Sequence, residues 1–257
     1  MAALSGIVSF LDAELRTSEI PDYPAALNGL QLANRGDVHH IAAAVDFSTR
    51  VVREAVNRGA NMLVLHHGMF WASAVPIVGP RYDRLALLFD SDIAVYGSHL
   101  PLDLHPRFGN NILLAHELGL TPSAGFASSQ GTVIGVSGSS NVPTSTLVDR
   151  AKAFCDRNAH HLVTTPISPG QMTRRWGICS GAGASTDTLS EAVALSLDTI
   201  IVGEGPHHTA VQAPDLGITV LYAGHYATET LGVRALVATA AKKFGIEGSF
   251  IEAPTGL

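Results

Sequence analysis

The chain has 257 residues, of which 46% are hydrophobic and 15% charged, and its formal net charge is −6. This length and composition predict a globular α/β protein with a substantial core, built as one large domain or two of ordinary size. The acidic balance argues against a surface for nucleic acid or anionic membrane, because such surfaces carry a basic patch.

The sequence also bears on the cellular compartment. Cys155 and Cys179 show no local pairing motif, which is typical of free thiols in a reducing cytosol. The first 16 residues lack the basic start and long apolar stretch of a secretory signal. No apolar run approaches the roughly 20 residues that cross a bilayer. We therefore expect a cytoplasmic protein that does not contact membranes.

The first half of the chain alternates helices with strands. Helical spacing of apolar residues predicts a first helix over 4–16, and proline and glycine breakers predict a loop over 22–36. The order strand, helix, strand in the next segment favours a right-handed parallel crossover. The further elements predicted in this half are strands at 41–45 and 93–96, a strand over the apolar run 62–65, and helices at 49–58, 84–89 and 109–118.

The small, polar segment 122–129 is the predicted domain junction, and the alternation restarts beyond it. We expect an N-terminal α/β domain over 1–126 and a second α/β domain over 127–257, with the C-terminal helix packing back on the first. The second half is predicted to hold strands at 132–136, 162–165, 176–179, 199–202, 219–222 and 250–251, and helices at 144–158, 185–195, 209–213 and 228–244. Two halves of this kind predict two similar α/β layers.

Two adjacent histidines end the most apolar strand. His66 and His67 follow four apolar residues, and ligands of open α/β sheets sit beyond the carboxyl ends of the strands. Strand alternation makes the two side chains diverge, which suits one ligand for each of two ions about 3.5–4 Å apart. Hydrogen-bonded core histidines are the alternative, although an unpartnered imidazole there would cost desolvation energy.

Two other segments supply candidate ligands. Asp103 follows the strand at 93–96, and its alternative role is to cap the next helix. His225 and Glu229 lie four residues apart at the mouth of a long helix, so both face one side if the first turn is wound. Glu229 could bridge two ions, or could simply be an acid favoured by the helix dipole.

Residues beside these candidates are predicted to orient them. Asp46 ends a strand, and His99 precedes Asp103, so both are candidates for hydrogen bonds to ligands rather than for direct ligation. The glycine-rich loop 179–185 is interpreted either as a phosphate cradle or as a tight turn. Glu204, at another strand end, is expected to line the same cleft.

Five segments together resemble the Nif-three-like family, also labelled "GTP cyclohydrolase I type 2 homolog" or "dinuclear metal centre, hexameric". The resemblance runs from about residue 28 to 254, in order, and the chain matches the short form of the family. The matching segments are Asn28-Gly29-Leu30-Gln31, Leu65-His66-His67-Gly68, His99-Leu100-Pro101-Leu102-Asp103, Gly203-Glu204 and Gly224-His225-Tyr226-Ala227-Thr228-Glu229.

The resemblance implies a two-domain α/β subunit assembled as a toroidal homo-hexamer with two divalent metal ions per subunit. One ion would be held by His67, Asp103 and Glu229, and the other by His66, His225 and the bridging Glu229. Asn28, inside the first matching segment, joins Asp46 as an expected supporting residue. Mixed nitrogen and oxygen ligands suit Zn, Fe or Mn.

The resulting hypothesis is a metal-dependent hydrolase of the GTP cyclohydrolase type 2 homolog class. A metal-activated water would attack a nucleotide or another small molecule, and His99 would shuttle protons. The alternative is a non-catalytic metal-binding toroid that serves as a metal store, a chaperone or an interaction scaffold. Open coordination positions would favour catalysis over the alternative.

Overall fold

The computed structural model describes residues 1–71, 75–129 and 131–257. The described strands are β1 (Ala2–Ala3), β2 (Gly29–Leu32), β3 (Asp37–Val38), β4 (His40–Asp46), β5 (Met62–His67), β6 (Ala94–Gly97), β7 (Ala124–Ser129), β8 (Thr132–Pro143), β9 (Val163–Thr164), β10 (Met172–Cys179), β11 (Thr199–Val202), β12 (Thr219–Tyr222) and β13 (Glu247–Phe250). The described helices are α1 (Leu4–Leu15), α2 (Thr49–Asn57), α3 (Pro80–Asp90), α4 (Leu100–Asp103), α5 (Asn110–Glu117), α6 (Thr144–Arg157), α7 (Thr186–Ala194), α8 (His207–Asp215) and α9 (His225–Phe244).

The chain divides into two units. Unit 1 comprises Met1–Phe108 and Gly232–Ala253, and unit 2 comprises Gly109–Leu231 and Pro254–Leu257. The predicted boundary between residues 126 and 127 would fall inside β7. Helix α9 begins in unit 2, and its residues from Gly232 onward belong to unit 1.

Unit 1 is organised around a five-stranded sheet in the order β13-β4-β5-β6-β2. The first four strands are mutually parallel, and β2 joins the edge antiparallel to β6. The crossover through α2 is capped by Ser48, whose side chain accepts a hydrogen bond from the backbone N–H of Val51. All six residues of β5 are buried, as expected for a strand covered on both faces. The parallel arrangement therefore brings the carboxyl ends of β4, β5 and β6 to one edge.

Both faces of this sheet carry a core. One core cluster joins α1, α9 and one face of β4 and β5, including Leu11, Ile41 and Val64. Val233 and Leu236 of α9 lie in the same cluster, so the later part of the C-terminal helix packs within unit 1. The other face is covered by α2 and α3.

Unit 2 contains a six-stranded sheet in the order β7-β8-β10-β11-β12-β9. Strands β10, β11 and β12 are parallel, and the other three pair antiparallel. Trp176 of β10 is fully buried, and the residue directly opposite it on β8 is Gly138. Both units are thus mixed α/β, but unit 1 carries a mainly parallel sheet and unit 2 a sheet of both kinds.

The segment predicted as a loop and the segment predicted as a domain junction both contain strands. The segment 22–36 holds β2, and the polar segment 122–129 holds β7, whose Phe126 is fully buried. Strand β2 has only four residues, and β7 consists mostly of small and polar residues, so the hydrophobic pattern of each is weak. They form because a neighbouring strand offers backbone partners. Helix α9 also begins three residues before its predicted start.

The fold shows where the two cysteines lie and what kinds of helix are present. Cys155 and Cys179 are both buried, and burial raises the pKa of the Cys155 thiol to about 12. Within the described ranges, no helix combines the length and the apolar character that a bilayer crossing requires.

Candidate metal centre

Three imidazoles cluster at the carboxyl edge of the unit 1 sheet. His66 and His67 end β5, and His99 follows β6. The ring centroids lie 4.7 Å apart for His66 and His67, 5.0 Å for His66 and His99, and 5.6 Å for His67 and His99. One ring nitrogen from each lies within 4.8 Å of the other two, so this group could hold a metal ion.

The closeness of His66 and His67 differs from the divergence predicted by strand alternation. Strand β5 ends at His67, and the alternation of a regular strand does not dictate the direction of a side chain at its terminus. Both imidazoles are nevertheless buried, with 1% and 9% of their surfaces exposed.

Each of the three imidazoles presents Nδ1 to an oxygen. His66 Nδ1 lies 3.0 Å from the carbonyl oxygen of Ser98, and His67 Nδ1 lies 2.8 Å from Asp46 Oδ1. His99 Nδ1 lies 2.9 Å from Asp22 Oδ1. Carbonyl and carboxylate oxygens only accept, so Nδ1 donates and Nε2 is the nitrogen left to ligate. Histidines that bind metals in proteins are oriented in this way.

Asp22 was not predicted as a site residue, although it anchors the position of His99. Its Oδ2 accepts hydrogen bonds from the backbone N–H of Leu100 and from Asn28 Nδ2, both at 2.8 Å. Asn28 Oδ1 in turn accepts from the backbone N–H of His99 at 2.8 Å. Burial raises the pKa of Asp22, but the hydrogen bonds and charge of His99 and the bonds from Asn28 and Leu100 hold it below its ordinary value. The carboxylate is therefore ionised, and it keeps the Nδ1 proton on His99.

Asp103 lies close to the imidazoles of unit 1. It ends α4, is 8% exposed, and its Oδ2 lies 3.6 Å from His66 Nε2. The alternative role as a cap for the next helix is not what the structure shows, because Gly109 occupies the N-cap of α5 without a side-chain hydrogen bond.

Unit 2 positions the other two predicted ligands on the first turn of α9. His225 Nε2 lies 3.2 Å from Glu229 Oε2, as expected for residues four apart on a wound turn. His225 Nδ1 lies 2.7 Å from Glu204 Oε1, which repeats the acceptor pattern of unit 1. Glu204 was expected only to line a cleft, whereas its position relative to Nδ1 gives it an orienting role.

The charge of the surrounding acids controls the protonation of His225. Burial lowers its pKa, but the hydrogen bond and charge of Glu229, followed by those of Glu204, raise it to about 9 overall. The imidazole is therefore protonated near neutral pH, and a metal ion that binds Nε2 must displace a proton.

Gly181 lies directly against Glu229 within unit 2. A Cβ atom at residue 181 would meet Glu229 Oε1 at 2.2 Å and His225 Nε2 at 3.3 Å, so this position makes room for both side chains. The Gly181 N–H donates to Thr228 Oγ1 at 3.0 Å, and the backbone has φ +61°. The carboxylate is thus held against bare backbone, and within unit 2 the Glu229 carboxylate and His225 Nε2 suit a divalent cation.

The glycine-rich loop between β10 and α7 is a tight turn. The N–H groups of Ser180, Gly181, Gly183 and Ala184 all donate to protein acceptors within 3.1 Å. These donors are consequently not available to cradle a phosphate.

Known proteins are similar to this chain in sequence or in structure. The Deinococcus radiodurans protein named GTP cyclohydrolase 1 type 2 homolog is 38% identical over 253 residues, which cover 98% of this chain and 93% of that protein. The Halobacterium salinarum protein of the same name is 40% identical over 258 residues, 99% of each chain. The crystal structure of TTHA1606 from Thermus thermophilus matches with a TM-score of 0.83 and 32% identity, over 100% of both chains.

A family-level comparison agrees with these relatives. The family model described as Duf34/NIF3 (NGG1p interacting factor 3) matches residues 2–255. All five predicted metal ligands and the residues that orient their imidazoles lie inside the matched region. On the strength of this match, the chain belongs to the Duf34/NIF3 family.

Proposed function

We propose that this protein is a metal-dependent hydrolase with a dinuclear centre. The observation that carries the proposal is the common orientation of the imidazoles of His66, His67 and His225, each of which turns Nδ1 to a carbonyl or carboxylate oxygen and leaves Nε2 for a cation. The proposed ligands are His66, His67, Asp103, His225 and Glu229.

The ligand assignment follows the family resemblance. One ion would take His67 and Asp103, the second would take His66 and His225, and Glu229 would bridge the two. Three imidazoles and two carboxylates suit Zn, Fe or Mn, and the metal found after purification is a poor guide to the one used in the cell.

The proposed chemistry divides between the metal and the protein. Bound divalent ions would supply Lewis acidity, which lowers the pKa of water toward 7. His99 would act as general base and then as general acid, because Asp22 keeps the proton on Nδ1 and leaves Nε2 to receive one from the attacking water. Asn28 would hold the backbone of His99 in place while the proton moves. The relatives' name makes a nucleotide such as GTP the first substrate to test.

The test combines metal counting with turnover. Untagged wild-type protein, purified without chelators, should carry two divalent ions per chain by elemental analysis and should hydrolyse at least one member of a nucleotide panel. Glu229→Ala should lose both ions, since Glu229 is proposed to bridge them, and His66→Ala should lose the one ion that His66 is proposed to hold. His116→Ala, which removes an exposed histidine of α5, is the control and should keep both.

Two results would count against the proposal. Equal turnover by wild type and Glu229→Ala would contradict the hydrolase. Retention of one full ion after Glu229→Ala would contradict the bridging role.

The residues behind the imidazoles provide a further prediction. Asp46→Ala should lower the affinity for the metal by about 10- to 100-fold, because His67 loses the acceptor that holds its ring and its tautomer. Competition with a fluorescent chelator measures the change. Asp90→Ala, which removes an exposed acid at the end of α3, should leave the affinity unchanged. Identical affinities in the two variants would show that Asp46 does not orient the ligand.

The oligomeric state is a separate proposal. We propose a homo-hexamer, as the family resemblance implies, so the mass in solution should be six times 26.9 kDa. Light scattering coupled to gel filtration measures it, and a monomer at micromolar concentration would contradict the proposal.

A further inference from the structure

Large aromatic side chains stand exposed beside the imidazoles of unit 1. Trp71 is 38% exposed and Tyr23 is 44% exposed. The Trp71 ring centroid lies 4.6 Å from that of His99 and 5.0 Å from that of His67. Tyr23 lies 6.0 Å from His99 and 6.3 Å from Trp71. Two solvent-facing aromatic rings therefore flank the imidazole cluster.

Trp71 meets its aromatic neighbours at steep angles. Trp71 meets His67 at 45°, His99 at 65° and Tyr23 at 76°. Within residues 1–71, 75–129 and 131–257, no ring contact of Trp71 is a parallel stack. Aromatic rings gain from offset-parallel as well as edge-to-face contact, and the 38% of Trp71 that is exposed offers surface on which a flat molecule could stack.

Hydrogen bonds hold the backbone segments that carry both rings. Gln31 Oε1 accepts from the backbone N–H of Met69 at 2.7 Å, two residues before Trp71. Gln31 Nε2 donates to the carbonyl oxygens of Ala26 and Leu27, in the loop that follows Tyr23. The backbone N–H of Tyr23 donates to Asp22 Oδ1, the atom that also accepts from His99. One network thus ties the segments of both rings to the imidazoles.

We propose that Trp71 and Tyr23 bind the planar heteroaromatic ring of the substrate and place it beside His67 and His99. This inference rests on the proposed function and adds how the substrate is held. Stacking suits this position because any flat, conjugated ring has a π-face. The neighbouring imidazoles can also contact the polar edge of a heteroaromatic ring, an interaction that an aliphatic ring does not offer. Trp71 and Tyr23 are positioning residues in this scheme.

The test measures binding without turnover, in protein freed of metal with a chelator. Guanosine is the probe, because it carries a heteroaromatic ring and no phosphate, and ribose is the ring-free comparison. Guanosine should quench the tryptophan emission of the wild type, since Trp71 is exposed while Trp176, the other tryptophan, is fully buried. Ribose should neither quench nor bind.

Three variants separate stacking from other effects. Trp71→Leu should weaken guanosine binding about tenfold or more by calorimetry, as the loss of a stacking ring typically does. Trp71→Phe should retain binding within about threefold and lose the quenching, since a flat ring remains but the exposed indole does not. Tyr82→Leu, which removes a 60% exposed ring on α3, is the matched control and should bind like the wild type.

The outcomes are distinct from those of the proposed function. Equal guanosine binding by wild type and Trp71→Leu would overturn the inference, as would equal binding of ribose. If acrylamide failed to quench Trp71 in the wild type and Trp71→Leu changed the oligomeric state, the two rings would belong to a subunit interface. That result would also overturn the inference. Absence of metal or of hydrolysis would defeat the proposed function and leave this binding result standing.

Discussion

Gly181→Ala should abolish the contribution of Glu229 to metal binding although it adds only one methyl group. The new Cβ would stand 2.2 Å from Glu229 Oε1 and 3.3 Å from His225 Nε2, so the carboxylate must swing away. The group that moves is the end of a side chain, and the fold should therefore survive. We expect the affinity for the metal to fall by about 100-fold or more, since loss of a ligand exceeds the usual effect of losing a supporting residue.

The matched control is Gly217→Ala. Gly217 also has a positive φ, +72°, but a Cβ there meets nothing within 4 Å. Both variants should lose about 1–2 kcal/mol of stability, because each places an alanine in the left-handed region. Chelator competition and urea denaturation measured on both variants should therefore give similar stabilities and very different affinities. If Gly181→Ala bound the metal with the affinity of the wild type, Glu229 would not be a metal ligand in the position that the structure shows.

Trp176→Ala should lower the free energy of unfolding by about 3–5 kcal/mol, the range for removing a large buried aromatic side chain. Trp176 is fully buried in the core of unit 2 with Leu147 and Phe154. It faces Gly138 across the β8–β10 pair, and a Cβ at that glycine would stand 2.6 Å from the indole. The indole thus fills space that the opposite strand leaves open, and alanine would leave a cavity there.

Urea denaturation followed by circular dichroism measures this loss of stability. Tyr82→Ala is the comparison, because it removes a large aromatic side chain that is 60% exposed and should change the stability by no more than about 1 kcal/mol. An equal loss in the two variants would mean that burial of Trp176 does not stabilise unit 2.

Sequence patterns predicted the parts of the candidate site that depend on local structure. The apolar run before His66 and His67 is enough to predict a buried strand that delivers both imidazoles to a sheet edge. Helical periodicity similarly predicts that His225 and Glu229 share a face of α9. These features depend on neighbours in sequence, where strand and helix periodicity is reliable.

Other features could not be predicted from local patterns. Strand β7 consists of small and polar residues and exists because β8 offers it backbone partners. Asp22 sits in a proline-rich loop where an aspartate is ordinary, and its role depends on His99, 77 residues away. Gly181 appeared as part of a phosphate-cradle pattern, whereas the structure shows it as the backbone against which Glu229 rests.

The sequence by itself therefore determined which segments are strands and helices with strong periodicity, and which side chains end them. Tertiary structure alone decided which oxygen orients each imidazole, where a glycine makes room for a carboxylate, and which aromatic rings stand beside the histidines. The physical reason is that hydrophobic periodicity records burial along one element. A hydrogen bond between Asp22 and His99 or a close approach of Gly181 to Glu229 arises only when distant segments pack together.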